Sequence, residues 1–259
     1  MNNKTPVLMF HGIEKPGYYL HQEEEDAFYT VPEQEFSSCL DMVVDKDYLT
    51  LTSDDINRVK YENKKKIILT FDDGWESDYE IAYPLLKKYN MKAIFFVVAE
   101  WIGKKKYISK NQLVEMSKNG MDIQSHGATH RFLSQLPEQE IRNELYLSKQ
   151  IIENILGKEV TSLSYPGGRG NKKVREIGKE LGYKLFFSSK PGWYALDDEE
   201  ISRLVVHSKT DDEKLNDYFS FNLITHYQQM AKYYLGRSIV SAVGKNNYNA
   251  IKNTIKQYI

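Results

Sequence analysis

The chain has 259 residues, with 35 Lys and Arg side chains against 36 Asp and Glu, which gives a formal net charge of −1. This balance creates no strong overall field that favours a nucleic acid or an anionic membrane, so we expect no nucleic-acid partner. The single cysteine, Cys39, excludes an internal disulfide framework and a metal site built from several cysteines. The length suits one large domain, and no apolar stretch approaches the roughly 18 residues of a membrane-spanning helix.

The first predicted strand is Pro6–His11, because the apolar run Val7–Phe10 ends at His11 and Gly12. His11 either caps this strand or belongs to a site at its end. The same apolar run is too short for a signal peptide. We therefore expect a cytoplasmic protein, or an extracellular or cell-surface one if a leader precedes these residues.

Residues Ile13–Pro32 combine aromatic and acidic side chains and show no clear period. We predict a long loop here, of the kind that often contacts substrate, although the acidic run also fits a solvated surface. Helices are predicted next at Pro32–Lys46 and Ser53–Asn63, because each begins with a helix start signal.

The stretch Lys66–Trp75 reads KIILTFDDGW and predicts a buried parallel strand, because its apolar run is continuous. Asp72 and Asp73 follow at the C-terminal end of this strand, where α/β folds place their chemistry. Gly74 allows the turn that two adjacent carboxylates need in order to converge. Alternatively, Asp73 is the N-cap of the helix that follows.

A second polar cluster, QSHGATH at Gln124–His130, follows a predicted strand at Met121–Ser125. His126 and His130 are four residues apart, which predicts that both imidazoles lie on one face of a helical turn, within reach of one divalent ion. A lone histidine is more often structural, but two of them with a carboxylate pair on another strand favour a metal site. One aspartate and two histidines leave coordination positions open, which is typical of catalytic metals.

The rest of the chain alternates between predicted strands and helices, which indicates an α/β domain. Further strands are predicted at Ala93–Val98, Val160–Tyr165, Lys184–Ser188 and Ile201–His207, and further helices at Ser77–Tyr89, Ser109–Asn119, Pro137–Leu156 and Lys173–Gly182. The glycine-rich segment Pro166–Gly170 either presents backbone N–H groups to a developing negative charge or is an ordinary turn. Polar, tyrosine-rich helices are expected from Asp211 onward.

Three motifs, TFDDGW, SHGATH and the later SYPGGRGN at Ser164–Asn171, resemble the successive motifs of the polysaccharide deacetylase family. This family is also called the NodB-homology or carbohydrate esterase 4 family, and the resemblance covers residues 6–207. It implies a distorted (β/α) barrel of about seven strands at residues 1–210. A helical C-terminal extension at residues 211–259 is expected to pack on the barrel.

The resemblance also implies roles for the clustered polar residues. Asp72 corresponds to the general base, and Asp73, His126 and His130 correspond to the metal ligands. The implied cofactor is a divalent metal, zinc in the first place, with Co²⁺, Ni²⁺ or Mn²⁺ as alternatives.

Substrate contacts are predicted mainly in the third motif. Tyr165, Pro166 and Gly167 are the candidates there, with the Gly167 N–H directed at the oxyanion. Tyr165 and Trp193 are candidates for stacking on sugar faces, although burial in the core would explain both equally well.

Two positions of this motif depart from the family pattern. Gly167 stands where the family usually has an aromatic residue, and Ser164 stands where it often has an arginine. Either Arg169 or Arg203 is left to orient the base, and the sequence does not choose between them.

The general acid has two candidates. The opening VLMFH resembles the N-terminal motif of the family branch that deacetylates poly-N-acetylglucosamine, in which the catalytic histidine comes from the start of the chain. This resemblance favours His11. His207 is the rival, because the unpermuted family places its histidine late in the chain.

The resemblance implies a metal-dependent hydrolase that removes acetyl groups from N-acetylhexosamine units of a poly- or oligosaccharide. One alternative is an amidohydrolase of the same fold that acts on a small non-sugar amide. Another is an inactive carbohydrate-binding module, against which the complete set of aspartates and histidines argues. The sequence leaves the oligomeric state open.

Overall fold

Seven parallel strands form the central sheet in the computed structural model, which describes residues 4–17, 24–58, 64–195 and 198–243. The described strands are β1 (Lys4–Thr5), β2 (Val7–Phe10), β3 (Ile13–Glu14), β4 (Val31–Pro32), β5 (Tyr48–Thr50), β6 (Lys65–Asp73), β7 (Ile94–Val97), β8 (Asp122–Ser125), β9 (Ser162–Ser164), β10 (Leu185–Phe187), β11 (Tyr194–Ala195) and β12 (Leu204–Val205). Their order in the sheet is β10-β9-β8-β7-β6-β2-β12, and β5 is an additional parallel partner of β6.

Helices alternate with these strands and make the sheet a half-barrel, which confirms the predicted (β/α) barrel class and its seven strands. The described α-helices are α1 (Glu24–Tyr29), α2 (Glu33–Asp45), α3 (Ser53–Arg58), α4 (Tyr83–Lys88), α5 (Lys110–Lys118), α6 (Glu138–Leu156), α7 (Lys172–Glu180), α8 (Asp212–Ser220) and α9 (Leu223–Val243).

The central strands are buried on both faces, which explains why their sequences are continuously apolar. Every residue of β2 and β7 is buried. Phe10, Phe71 and Phe95 pair in register across β2, β6 and β7, and their rings stack with centroids 5.2 and 4.7 Å apart. This register aligns the C-terminal ends of the strands at one edge of the sheet.

Two helix predictions depended on capping residues, and the structure confirms both. Ser109 and Gln112 form a capping box at the start of α5, in which each side chain accepts a hydrogen bond from the backbone N–H of the other. Gly157 ends α6 with a φ of 64°, the left-handed conformation that favours glycine.

The segment Ile13–Pro32, predicted as one long loop, contains regular structure. It holds β3, α1 and β4, and β3 pairs with β4 in parallel. Elements of two to six residues are too short to show a hydrophobic period, which is why the pattern missed them. Residues 18–23 lie outside the described part of the chain.

Two helix boundaries also differ from the prediction. The helix expected at Ser77–Tyr89 begins as a π-helix at Asp78–Ala82 and continues as α4. Helix α3 is described only to Arg58, and residues 59–63 of the predicted helix fall outside the described residues.

Helices α8 and α9 follow the last strand, as expected for the C-terminal part. The boundary at residue 210 stays a prediction, and residues 244–259 lie outside the described ranges. Among the helices that the structure describes, none combines the length and the apolar character needed to cross a membrane.

Candidate active site

The C-terminal ends of β2, β6 and β8 bring the predicted site residues to one edge of the sheet. His11 follows β2, Asp72 and Asp73 end β6, and His126 follows β8. Parallel strands present these ends on the same side, and both carboxylates lie within electrostatic reach of His11 and His126. His130 completes the group through the loop that follows His126.

A sharp turn at the end of β6 separates the two aspartates from the next helix. Asp73 and Gly74 have φ angles of 80° and 78°, in the left-handed region. A Cβ atom at Gly74 would lie 2.9 Å from Val97 Cγ1, so this turn requires glycine. The alternative that Asp73 is a helix N-cap is wrong, because the next helix begins at Asp78 with Ser77 at its N-cap.

Asp73, His126 and His130 form a cluster that suits a divalent cation. One ligand atom from each residue lies within 4.8 Å of the others. Asp73 Oδ1 is 3.4 Å from Nε2 of His126 and 3.4 Å from Nε2 of His130, and it has no hydrogen-bond partner among the described residues. Two imidazole nitrogens and a buried carboxylate oxygen that lacks a partner are the donors that zinc and similar ions prefer.

Two hydrogen bonds orient the atoms of this cluster. His126 Nδ1 lies 2.9 Å from the carbonyl oxygen of Ser164, which can only accept a hydrogen bond. Nδ1 therefore carries the proton, and Nε2 is left as an acceptor that points toward Asp73. On the other side, Trp75 Nε1 donates to Asp73 Oδ2 at 3.2 Å.

The three residues of the cluster have pKa values shifted in different directions. For His126, burial is outweighed by Asp72 and Asp73, which raise its pKa. Burial opposes ionisation of Asp73, but His126, His11 and His130 outweigh burial and hold the pKa of Asp73 below its ordinary value. Burial, followed by the charge of His126, lowers the pKa of His130 to about 4. An ionised Asp73 and a neutral His130 are the forms that bind a metal.

The loop that carries the two histidines is not the helical turn that their spacing predicted. Gly127 and His130 have φ angles of 78° and 65°, so the chain reverses within the loop. The buried carboxylate of Glu144 on α6 holds this loop and accepts hydrogen bonds from the N–H groups of Ala128 and Thr129 at 3.0 and 2.9 Å. Glu144 therefore positions the ligand loop from a helix that carries no ligand.

Asp72 is held by a different partner, Arg203, which precedes β12. Arg203 is fully buried, and its guanidinium donates to both oxygens of Asp72, at 2.8 and 2.7 Å. Ser164 Oγ donates to Asp72 Oδ2 at 3.1 Å. Burial raises the pKa of Asp72, but the charge and hydrogen bonds of Arg203 together with the charges of His126 and His11 outweigh burial and lower the pKa below its usual range, so Asp72 is ionised.

Of the two arginines that the sequence left as candidates to orient Asp72, only one contacts it in the described structure. Arg203 forms the bidentate pair with Asp72, whereas Arg169 lies over the ring of Phe132 at 4.6 Å.

The two candidate general acids lie in different surroundings. His11 is within electrostatic reach of Asp72 and Asp73, its ring lies 4.9 Å from that of Tyr29, and burial lowers its pKa. His207 stacks on Phe28 at 4.4 Å and has its Nε2 3.3 Å from Lys214 Nζ. Burial and the charges of Lys214, Lys209 and Lys232 lower the pKa of His207 to about 4.

The third motif forms a tight turn at Pro166–Gly168, in which Gly167 has a φ of 62°. A Cβ atom at Gly167 would lie 2.4 Å from Phe132 Cε1, so a side chain at this position would require Phe132 to move. The contact is consistent with glycine at the position where the family usually has an aromatic residue.

Two predicted stacking residues are placed in the core instead. Tyr165 is fully buried, and Trp193 is almost fully buried, with its Nε1 donating to the carbonyl of Tyr218 at 2.9 Å. The prediction that their rings stack on sugar faces is therefore wrong in this structure, because neither ring has a face available to a sugar.

Comparison with known proteins agrees with the geometry. Residues 59–186 match the sequence profile of the polysaccharide deacetylases. YxkH of Bacillus subtilis (strain 168), whose name places it among the polysaccharide deacetylases, is 34% identical over 193 residues, which are 73% of this chain and 66% of YxkH. The chain belongs to the polysaccharide deacetylase family.

Other relatives support the same family. The poly-β-1,6-N-acetyl-D-glucosamine N-deacetylase of Staphylococcus aureus (strain MSSA476) is 27% identical over 211 residues, 72% of each chain. Among solved structures, the Streptococcus pyogenes deacetylase PplD, in complex with acetate, superposes with a TM-score of 0.75 at 28% identity. That match covers 83% of this chain and 97% of PplD.

The chain also has an aromatic wall beside the cluster that the motifs did not predict. The Trp101 ring lies 5.1 Å from His130 and 4.8 Å from Tyr107, which in turn stacks on Trp75. Trp101 and Tyr107 are both half-buried. Of these three aromatic residues, only Trp75 lies within a motif, TFDDGW, and the other two follow more than 25 residues later.

Proposed function

We propose that this protein is a metal-dependent hydrolase that removes acetyl groups from N-acetylglucosamine units of a poly- or oligosaccharide. The observation that carries the proposal is that the two adjacent aspartates have different partners. Asp73 faces two imidazoles, whereas Asp72 is held by Arg203. One carboxylate is thus available to a cation and the other to a proton.

Asp73, His126 and His130 are the proposed ligands of a divalent metal, zinc in the first place. A metal at this position supplies Lewis acidity, which lowers the pKa of water and polarises an amide carbonyl. The Ser164 carbonyl fixes the tautomer of His126, and the Glu144 carboxylate fixes the loop that leads to His130.

Asp72 is the proposed general base. Arg203 keeps the carboxylate ionised and directs it, and Ser164 adds a second hydrogen bond on one oxygen. In this state Asp72 takes the proton of the attacking water. The Gly167 N–H is proposed to stabilise the negative charge that develops on the carbonyl oxygen.

His11 is the proposed general acid, because the departing amine needs a proton. Burial lowers the pKa of His11, while Asp73 and Asp72 raise it in turn. Negative charge that develops on the substrate next to an imidazole raises its pKa further, so the protonated form is favoured when the amine leaves. The products are acetate and a free amino sugar.

The substrate class is proposed from the relatives and from the aromatic wall. A relative named as a poly-β-1,6-N-acetyl-D-glucosamine N-deacetylase aligns with 72% of this chain. Trp101 and Tyr107, half-buried beside His130, offer ring faces of the kind on which sugars pack.

Acetate release tests the proposal. We expect the purified protein to release acetate from poly-β-1,6-N-acetylglucosamine fragments, to lose this activity with a chelator, and to regain it with zinc. Chitooligosaccharides and simple acetamides serve as the comparison substrates. Activity on the simple amides alone would favour the amidohydrolase alternative, and glycan binding without acetate release would favour a binding module.

A further inference from the structure

Helix α9 carries apolar side chains on the face that points away from the protein. The outer stripe consists of Leu223, Ile224, Tyr227, Tyr234 and Leu235, whose exposed fractions run from 52% for Tyr234 to 71% for Ile224. At roughly 100° per residue these five positions fall within an arc of about 120°. They form one continuous stripe, whereas scattered apolar residues on a surface need no explanation.

The opposite face of α9 is the one that contacts the protein. The ring of His226 lies 4.9 Å from Trp193, and Gln229 Nε2 donates to the Tyr218 hydroxyl at 2.7 Å. Packing on the barrel therefore accounts for the inner face of α9 and leaves the apolar character of the outer stripe unexplained.

Charge is distributed unevenly along the chain, although the total is nearly balanced. Residues 218–259 hold five Lys and Arg and no Asp or Glu, while the first 217 residues hold 30 basic and 36 acidic side chains. By the same helical count, Lys232 and Arg237 occupy positions on either side of the outer stripe. Lys232, Lys209 and Lys214 also act together on His207, so positive charge extends from α9 to α8.

We infer that the outer stripe of α9 docks on the surface of an anionic lipid bilayer, with the helix lying in the interface. An apolar stripe bordered by basic residues is the pattern of a helix that inserts one face among acyl chains while its cations meet the headgroups. Tyrosine suits this boundary, because its ring is apolar and its hydroxyl is polar. The net charge of the whole chain is close to zero and therefore does not reveal that the basic segment around α9 is complementary to anionic headgroups.

A second copy of the chain fits the same surface less well. Pairing two outer stripes would bring two acid-free, basic segments together, and like charges oppose such an interface. The last acidic residue before α9, Asp217, is already occupied by Asn222 and Thr225. An anionic bilayer satisfies both the apolar stripe and its basic borders.

Co-sedimentation of the full chain with lipid vesicles tests this inference. We expect binding to vesicles of equal parts phosphatidylglycerol and phosphatidylcholine, and at least about tenfold weaker binding to pure phosphatidylcholine. Raising the salt concentration should weaken the binding, since screening reduces the headgroup attraction. The double variant Ile224→Asp, Leu235→Asp should bind the anionic vesicles about tenfold more weakly or worse.

Leu147→Asp is the matched control, because Leu147 is an exposed leucine on α6, away from the stripe. This control should bind like wild type, and all variants should release acetate from a soluble oligosaccharide equally, which shows that they fold. Absence of wild-type binding, or equal binding by the double variant, would overturn the inference. If wild type and the control form a dimer without lipid and the double variant does not, the stripe would be an interface with a second copy of the chain instead.

Discussion

Two adjacent aspartates at the end of β6 have different environments, and this difference defines the site at the scale of single residues. Asp72 pairs with a buried guanidinium, and Asp73 faces the imidazoles of His126 and His130. Both have lowered pKa values, but only Asp73 keeps a buried oxygen without a hydrogen-bond partner among the described residues. A turn of two left-handed residues is what allows neighbours in sequence to take separate roles.

The choice between His11 and His207 can be tested at this scale. His11→Ala should lower turnover of an N-acetyl amide by roughly 10² or more with the metal retained, because the leaving amine loses its acid. An activated ester should be affected much less, since its leaving group needs no proton. His207→Ala should stay within about tenfold of wild type, because His207 lies among lysines and not beside the carboxylates. The opposite pattern would give the role to His207.

Glu144 provides a test of positioning, as opposed to ligation. Glu144→Gln keeps the side-chain volume but replaces one carboxylate oxygen with an amide that cannot accept from the ligand loop. We expect metal affinity to fall by about 10- to 100-fold, as for other groups that orient metal ligands. The measurement is competition against a chelator of known affinity.

Glu140→Gln is the control for this substitution, because Glu140 lies on the same helix and its carboxylate accepts a hydrogen bond from Arg131 in the loop. Its metal affinity should match that of wild type. Equal affinities for all three proteins would show that Glu144 supports the fold and not the site.

At the scale of the elements, turns after strands shape the site more than the strands themselves. Gly167 and Gly157 have nearly the same backbone conformation, with φ of 62° and 64°. A Cβ at Gly157 would meet nothing within 4 Å, whereas one at Gly167 would collide with Phe132. Alanine variants at Gly157 and Gly167 therefore allow the cost of backbone strain to be measured separately from the cost of the collision with Phe132.

Both alanine variants should lose about 1–2 kcal/mol of unfolding free energy from the left-handed conformation. Gly167→Ala should lose more, because Phe132 must move, and its turnover should fall while Gly157→Ala keeps wild-type turnover. Urea unfolding and acetate release measure the two effects. Equal stability and equal turnover in both variants would remove the third motif from the proposed mechanism.

Across the whole molecule, the sequence predicted those features that are encoded in contiguous residues. The buried strands, the capping box at Ser109 and the aspartate and histidine motifs all depend on neighbours within a few positions. Arg203 is 131 residues from Asp72, and Glu144 is 15 residues from Thr129, so no local pattern links them. Their roles follow from the register of the strands and the packing of α6.

Other features were misjudged because one pattern fits two environments. The aromatic rings of Tyr165 and Trp193 suit a sugar as well as a core, and only their burial decides. The spacing of His126 and His130 fits a helical turn, but the hydrogen bonds of Glu144 hold a reversing loop instead.

One buried group should make the stability of the whole protein depend on pH. Asp78 is fully buried, and neither of its oxygens has a hydrogen-bond partner with good geometry among the described residues. Burial, with a further contribution from Asp73, raises the pKa of Asp78 well above its ordinary value. The folded state then binds one more proton than the unfolded state above pH of about 4, so this group lowers stability as the pH rises.

In the variant Asp78→Asn the side chain is neutral at every pH, so the variant does not lose stability from this group as the pH rises. With the metal chelated, we expect the variant to exceed wild type by about 1 kcal/mol or more at pH 8, and the gap to shrink toward pH 4. Unfolding in urea at several pH values measures the difference. A gap that stays constant with pH would show that Asp78 does not titrate as its burial implies.

The central claim is that Asp73 serves a metal while Asp72 serves a proton, and metal content measured beside turnover in Asp72→Asn and Asp73→Asn tests it most directly. Asp72→Asn leaves Arg203 without its ion pair and should be less stable, so metal is measured on protein shown to be folded. We predict about one divalent ion per chain in wild type and in Asp72→Asn, a loss of turnover of roughly 10² or more in Asp72→Asn, and loss of the metal in Asp73→Asn. Loss of the metal from Asp72→Asn, or equal metal in all three proteins, would contradict the claim.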